Sequence, residues 1–275
     1  MYEIAIPYHK KTAASKIAKG FDEFADRAVS RTVILNHLRK LAGRNTIVTS
    51  SNSDAVDPNT LNINAYYDPD EDEEGEKPIE MVVVFNPADK RVTMDRNEWR
   101  EFANQVIEYL QHELIHQYQY RARGFQPTRA YVSKSKNADQ KKQQEYLGNT
   151  DEIEAYAHNL ASELDRKTRG NIEQQLRLIG NFANTAMTRD QAGRLLTPTL
   201  YGYFKEFDFN TTHPVLKALM KKTYQYIMMK KKTDEKKTRV QNRNAEIADK
   251  ERQFQERQEA LDKDPRTSYT VIVDR

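Results

Sequence analysis

The chain has 275 residues, 37% of them hydrophobic and 31% charged, with a formal charge of +3 from 44 Lys and Arg against 41 Asp and Glu. That balance does not by itself argue for a nucleic-acid partner, and no run of about 18 apolar residues is present to cross a membrane. With no cysteine in the chain, disulfides and thiolate metal sites are excluded together, so a metal must be held by His, Asp or Glu.

Met1 to Pro7 lack the apolar segment of a secretory signal, so an intracellular or virion location is expected. Residues 11–42 read as one helix, with Ile17, Phe21, Phe24, Ala25, Val29, Val33, Leu35 and Leu38 on a broad apolar face and Gly43 closing it. Three runs of strand character follow. Thr46-Ile47-Val48-Thr49 is the first, Leu61 to Tyr67 alternates, and Met81-Val82-Val83-Val84-Phe85 has the continuous apolar character of a buried strand. Between the last two, Asp68 to Glu80 is dense in acid and reads as a flexible hairpin loop. Its glycine and closing glutamate are not at the spacing of a calcium loop. Helix, strands and helix in this order suit a small mixed sheet backed by helices on one face.

The next helix runs from Asp95 to Arg123. Asp95 and Glu98 form a capping box at its start, and Gly124 and Pro127 end it. Trp99, Phe102, Val106, Ile107, Leu110, Leu114 and Tyr118 make an apolar stripe. Late in this helix stands His112-Glu113-Leu114-Ile115-His116. Four residues apart, the two histidines stack one turn apart, roughly opposite the stripe, with Glu113 at the edge between them and the buried face. This is the spacing by which a helix offers two nitrogen ligands to one metal and aims a carboxylate at the same point. The plain alternative is a pair of solvated histidines on an amphipathic helix; a third ligand would separate the two.

From Gly124 to Gln144 the chain is polar and reads as a long loop or lid beside the cleft. Asn149 or Thr150 caps a helix from Asp151 to Arg169, whose core face is Ile153, Ala157, Leu160, Ala161 and Leu164. Glu152 and Glu154 flank that face in the first turn. Either could reach a metal, and either is also favourable against the helix dipole. Helices over Asn171–Thr188, Pro198–Phe207 and Pro214–Lys232 follow, and their aromatic and methionine stripes read as packing. Residues 233–263 form a long polar helix in which Val240, Ile247, Phe254 and Leu261 recur every seventh position, with Arg243, Lys250 and Arg257 at the complementary positions. This reads as an arm laid along a surface of its own chain or a partner. The basic patch Lys230–Arg239 permits an anionic partner without arguing for one, and Tyr269 to Val273 reads as a terminal strand.

His112 to His116, followed by Tyr146-Leu147 and Glu152-Ile153-Glu154-Ala155-Tyr156-Ala157, resembles the zincin metallopeptidases of the gluzincin type. Within these it is similar to small peptidases encoded by tailed bacteriophages, over roughly residues 98–165. The resemblance implies a zincin-like α+β fold, with a small mixed sheet and an active-site helix; the residue pattern beyond the matching stretch adds an all-helical C-terminal part with a long charged arm. The expected division is a peptidase domain over 1–170, a helical subdomain over 171–232, and an arm with a terminal strand over 233–275. It also implies Zn2+ held by His112, His116 and Glu152, the glutamate of a Glu-x-x-Ala turn. Glu154 stands as the alternative, since Glu154-Ala155 matches other gluzincins. Glu113 becomes the general base and Tyr146 the hydroxyl that steadies the developing oxyanion.

The activity so implied is hydrolysis of a protein or peptide substrate, in the cytoplasm of a host cell or on a virion. Residues 233–275 would meet virion or self subunits; no membrane is involved, and nucleic acid is not the expected partner. The competing reading is a virion structural or assembly protein that retains a zincin-like domain.

Overall fold

The computed structural model describes residues 16–17, 19–43, 45–69, 77–126, 128, 130–184 and 188–262. Among them are five strands and eight α-helices, a mixed α+β arrangement. The short strand β1 (Val29–Ser30) pairs antiparallel with β5 (Arg91–Val92). The main sheet holds β2 (Thr46–Asn52), β3 (Leu61–Tyr66) and β4 (Ile79–Phe85) in the order β2-β4-β3. Strand β4 runs parallel to β2 and antiparallel to β3, so the sheet is small and mixed, as expected. Met81, Val83, Val84 and Phe85 are all buried, which explains the unbroken apolar run of a central strand. On β3, Leu61 and Ile63 are buried while Asn62 and Asn64 are exposed, the alternation of a strand with one wet face. Register places Ile63 opposite Val83 and Leu61 opposite Phe85, so these apolar side chains meet on one face.

The apolar periodicity over 11–42 does not produce one helix. Residues 16–17 and 19–20 are helical, a 3-10 turn follows at Asp22–Phe24, and helix α1 covers Arg31–Ala42. Asp26 takes a φ of 61°, which breaks the helical path, and Ser30 starts α1 afresh by accepting from the Val33 amide at 3.4 Å. The break lets Phe21 stack on Trp99, with ring centroids 5.5 Å apart and planes 7° apart. Residues 11–15, acidic residues 70–76 and the tail strand at 269–273 lie outside the described residues.

Helix α2 (Arg96–Ala122) begins with the expected capping box. Asp95 accepts from the Asn97 and Glu98 amides at 2.6 and 2.8 Å, and Glu98 accepts from the Asp95 amide at 2.7 Å. Trp99, Phe102, Ala103, Val106 and Leu110 bury into one core with Ile34 and Leu38 of α1 and with Met81, Val83 and Phe85 of β4. The predicted stripe holds as far as Leu114, which packs against the same core, and ends there, for Tyr118 is exposed. The buried residues beyond Leu110 are His112, Glu113, Ile115, His116, Gln117 and Gln119, because the second half of α2 is covered on another side as well.

The polar stretch before Glu152 is not one long loop. Helix α3 (Ala138–Leu147) opens at Asn137, whose side chain accepts from the Asp139 and Gln140 amides at 3.0 Å. Its buried residues are Gln144 and Leu147, so it has no apolar stripe to read. It is held instead by polar contacts: Gln140 and Gln144 donate to the Glu206 carbonyl at 3.2 and 2.6 Å. Helix α4 (Thr150–Lys167) follows at once, capped by Asn149, which accepts from the Asp151 amide at 3.0 Å. Gly148 joins the two, and a Cβ on it would lie 2.3 Å from the Tyr131 ring, so the turn requires glycine. Tyr131 packs over that turn and against Phe207 and His213. Of the described residues between 124 and 137, none lines the two cavities beside the histidines.

Helices α5 (Ile172–Asn184), α6 (Arg189–Leu195), α7 (Pro198–Glu206) and α8 (Pro214–Asp262) complete the chain. Helix α6 escapes the periodicity because it is seven residues long, although Thr188 and Gln191 give it a capping box. A second set of buried side chains includes Leu160, Leu164, Leu200, Tyr203, Phe204, Leu216 and Leu219. Helix α8 is one span of 49 residues with no break at Lys232. The chain divides into two compact units, 1–226 and 227–275. In the second, Val240, Ile247 and Phe254 are exposed. Among the described residues no helix is long and apolar enough to cross a membrane.

Candidate metal centre

His112 and His116 stand one turn apart on α2, and their Nε2 atoms approach to 3.0 Å. Glu152, in the first turn of α4, brings Oε2 to 3.4 Å from His112 Nε2 and Oε1 to 3.3 Å from His116 Nε2. Ligand atoms bonded at 2.0–2.1 Å in a tetrahedral site lie about 3.3 Å from one another. The three residues therefore match the edges of such a site, and His112, His116 and Glu152 could together hold a metal ion. The Oε2 of Glu152 is buried with no hydrogen-bond partner among the described residues, an orphan that a cation would satisfy. Two imidazoles and a carboxylate also form a donor set suited to a divalent transition metal.

The alternative third ligand is placed elsewhere. Glu154 accepts from Lys222 Nζ at 3.2 Å and from the Tyr226 hydroxyl at 3.4 Å, on another side of α4. Two residues apart on a helix means about 200° of rotation, so only one of the pair can face α2.

Each imidazole is held by its other nitrogen. His116 Nδ1 lies 3.0 Å from Gln119 Oε1, which accepts its N–H and leaves Nε2 for a metal. Asn159 faces His112 Nδ1 at 3.5 Å. When Nε2 is the ligand, Nδ1 carries the proton, so the Asn159 amide oxygen is the atom that turns to it. Gln119 also donates to the Asp151 carbonyl at 3.3 Å, and Arg123 grips the Asp151 carboxylate with bonds of 2.9 and 2.6 Å. These contacts tie the start of α4 to the end of α2 and so fix Glu152 against the histidines. The sequence reading missed Gln119, Tyr156 and Asn159. Their spacings were visible, three after His116 and four and seven after Glu152, all on the ligand faces.

Glu113 is buried beside the ligands, and its Oε2 accepts from the Tyr67 amide, at the end of β3, at 2.9 Å. Burial pushes its carboxyl up to about 7, against the pull of His116 and of that amide. Burial acts on Glu152 in the same direction, yet the two imidazoles beside it outweigh it and hold the carboxyl down at about 2. His112 is lowered, chiefly by burial; burial opposes protonation of His116 too, but Glu152 overcomes it and the pKa rises. Tyr146 lines both cavities beside Glu113, and Glu152 and Tyr156 act on its hydroxyl. Burial and the Glu152 carboxylate raise its pKa, so it remains a donor at neutral pH. The Tyr156 ring meets His112 edge-on with centroids 4.6 Å apart.

Two cavities flank the cluster. One of about 1000 Å³ runs beside Asn62 to Ala65 of β3 and the outer side of α2. Another, of about 270 Å³, lies beside Tyr66, Tyr67 and Tyr120. Both are lined by Ala65, Glu113 and Tyr146, so a trough follows edge strand β3 past the metal ligands. Set against protein-family models, curated proteins and solved structures, the chain matches none.

Proposed function

We propose that the protein is a zinc-dependent endopeptidase with a zincin-like peptidase domain. The observation that carries this reading is the convergence of His112, His116 and Glu152 with an adjacent buried Glu113 in a trough bounded by a sheet edge. When bound, zinc supplies Lewis acidity, polarising a carbonyl and lowering the pKa of a coordinated water towards about 7. The chain's own residues do the rest. Edge strand β3 aligns an extended peptide by backbone hydrogen bonds, as a further strand would. Glu113, oriented by the Tyr67 amide, accepts the proton of the attacking water and delivers it to the leaving amine. Tyr146 donates to the carbonyl oxygen as negative charge develops there.

A trough open on both sides of the ligands suits cleavage within a chain. The test combines elemental analysis of the purified protein with cleavage of an internally quenched peptide library. One zinc per chain and cleavage abolished by a chelator and restored by zinc are expected. Zinc-loaded protein that cleaves nothing would overturn the reading. A second reading, a virion structural or assembly protein with such a domain retained for docking, is favoured by exposed Val240, Ile247 and Phe254 on a highly charged helix. Zinc content does not separate the two readings, but cleavage does.

A further inference from the structure

Asn159, Glu163 and Thr197 line the larger cavity, and each has one buried polar atom with no hydrogen-bond partner among the described residues: Asn159 Oδ1, Glu163 Oε2 and Thr197 Oγ1. Folded chains rarely leave such atoms bare without a use for them. The first is answered by His112 once the amide turns. The other two are not. Glu163 is 8% exposed and Thr197 4%. The other Glu163 oxygen, Oε1, accepts from the Thr199 amide at 3.3 Å and from the Thr199 hydroxyl at 2.7 Å. It thereby closes the start of α7, where Thr197 makes no side-chain cap of its own. One carboxylate oxygen is thus structural and the other is unspent.

Arg166 and Lys167, the cations lining this cavity among the described residues, already have partners. Arg166 is paired with Glu108, and Lys167 donates to the Leu195 carbonyl at 2.7 Å. An acceptor-rich, acidic wall of this kind complements a group that brings both charge and donors. Its position follows from the pairing of α2 with α4, in which Gln119 meets Asp151, His112 meets Asn159 and Glu108 meets Arg166. The two helices are antiparallel, so Glu163 lies about one turn (~5.4 Å) past Asn159, away from Glu152. An extended peptide covers that distance in about two residues.

We propose that Glu163 and the Thr197 hydroxyl form a subsite for a positively charged group of the peptide, a Lys or Arg side chain or a free N-terminus. The proposal rests on the peptidase reading of the same cleft and names what that cleft selects.

Glu163→Gln tests it, because the amide oxygen can still cap Thr199 while the charge is gone. The probes are quenched peptides with Lys or norleucine at each position in turn, each made with a free and with an acetylated N-terminus. Binding to zinc-loaded protein is measured by calorimetry alongside cleavage. At one position Lys, or the free amine, should be preferred by about tenfold or more. E163Q should bring that preference near parity. The acetylated series decides which cation is read. Charge-selective binding without cleavage would uphold the subsite and overturn the peptidase reading. Cleavage with no charge preference, or with a preference that survives E163Q, would overturn the subsite alone. Failure to bind any probe would overturn both. Should E163Q misfold, Thr197→Val removes the second unspent atom, and an undiminished Lys preference in that variant would equally count against the subsite.

Discussion

The two halves of α2 differ in what they bury. From Trp99 to Leu110 the helix sinks an apolar face into the sheet core, and from His112 to Gln119 it sinks mostly polar side chains. Apolar burial is favourable wherever it excludes water, and needs no particular partner. Polar burial costs free energy unless each group is met. Here the groups are met individually: Glu113 by the Tyr67 amide, Gln117 by the Lys77 carbonyl at 3.0 Å, and Gln119 by the Asp151 carbonyl and His116. The first half thus holds the fold together, whereas the second gives up stability to hold a buried polar cluster in place.

That contrast can be broken at either end. Glu113→Gln should reduce peptide hydrolysis by about 10²–10⁴-fold while zinc stays bound. Hydrolysis at the parent rate would remove Glu113 from the chemistry. In the apolar half, Trp99→Ala should lower unfolding stability by about 3–5 kcal/mol in urea titrations. Zinc content of the folded fraction should not change. Glu152→Gln should abolish the zinc-dependent rise in stability, about 4 kcal/mol with zinc at a thousand times its Kd. Glu154→Gln, whose partners are Lys222 and Tyr226, should keep it. Melting curves with and without zinc decide this, and the opposite pattern would exchange the two assignments. Tyr146→Phe should lower kcat by about a hundredfold with zinc content intact. The smallest effect is expected at the cap. Asp95→Ala should cost about 1 kcal/mol and leave both zinc binding and kcat unmoved.

What could be read ahead of the fold was local. The capping box at Asp95 and Glu98, the alternation of β3 and the one-turn spacing of His112 and His116 all involve residues within a few positions of one another. Misreadings arose where local order was overridden or had no apolar signature. The apolar face over 11–42 concealed the break at Asp26 and the fresh start at Ser30. Helix α3 was invisible to periodicity because Gln140 and Gln144 hold it by hydrogen bonds to a carbonyl far along the chain.

By itself, then, the amino-acid order determined that one helix carries two imidazoles and a carboxylate at metal-binding spacing, and that an acidic turn follows later. Only the tertiary structure decided that Glu152 closes the triangle and Glu154 does not, and that Glu163 keeps an unspent oxygen in the same cleft. The reason is geometric. Spacing along a helix sets which side chains share a face, but which face meets which neighbour depends on how α2 and α4 pack, through Gln119, Arg123 and Asp151.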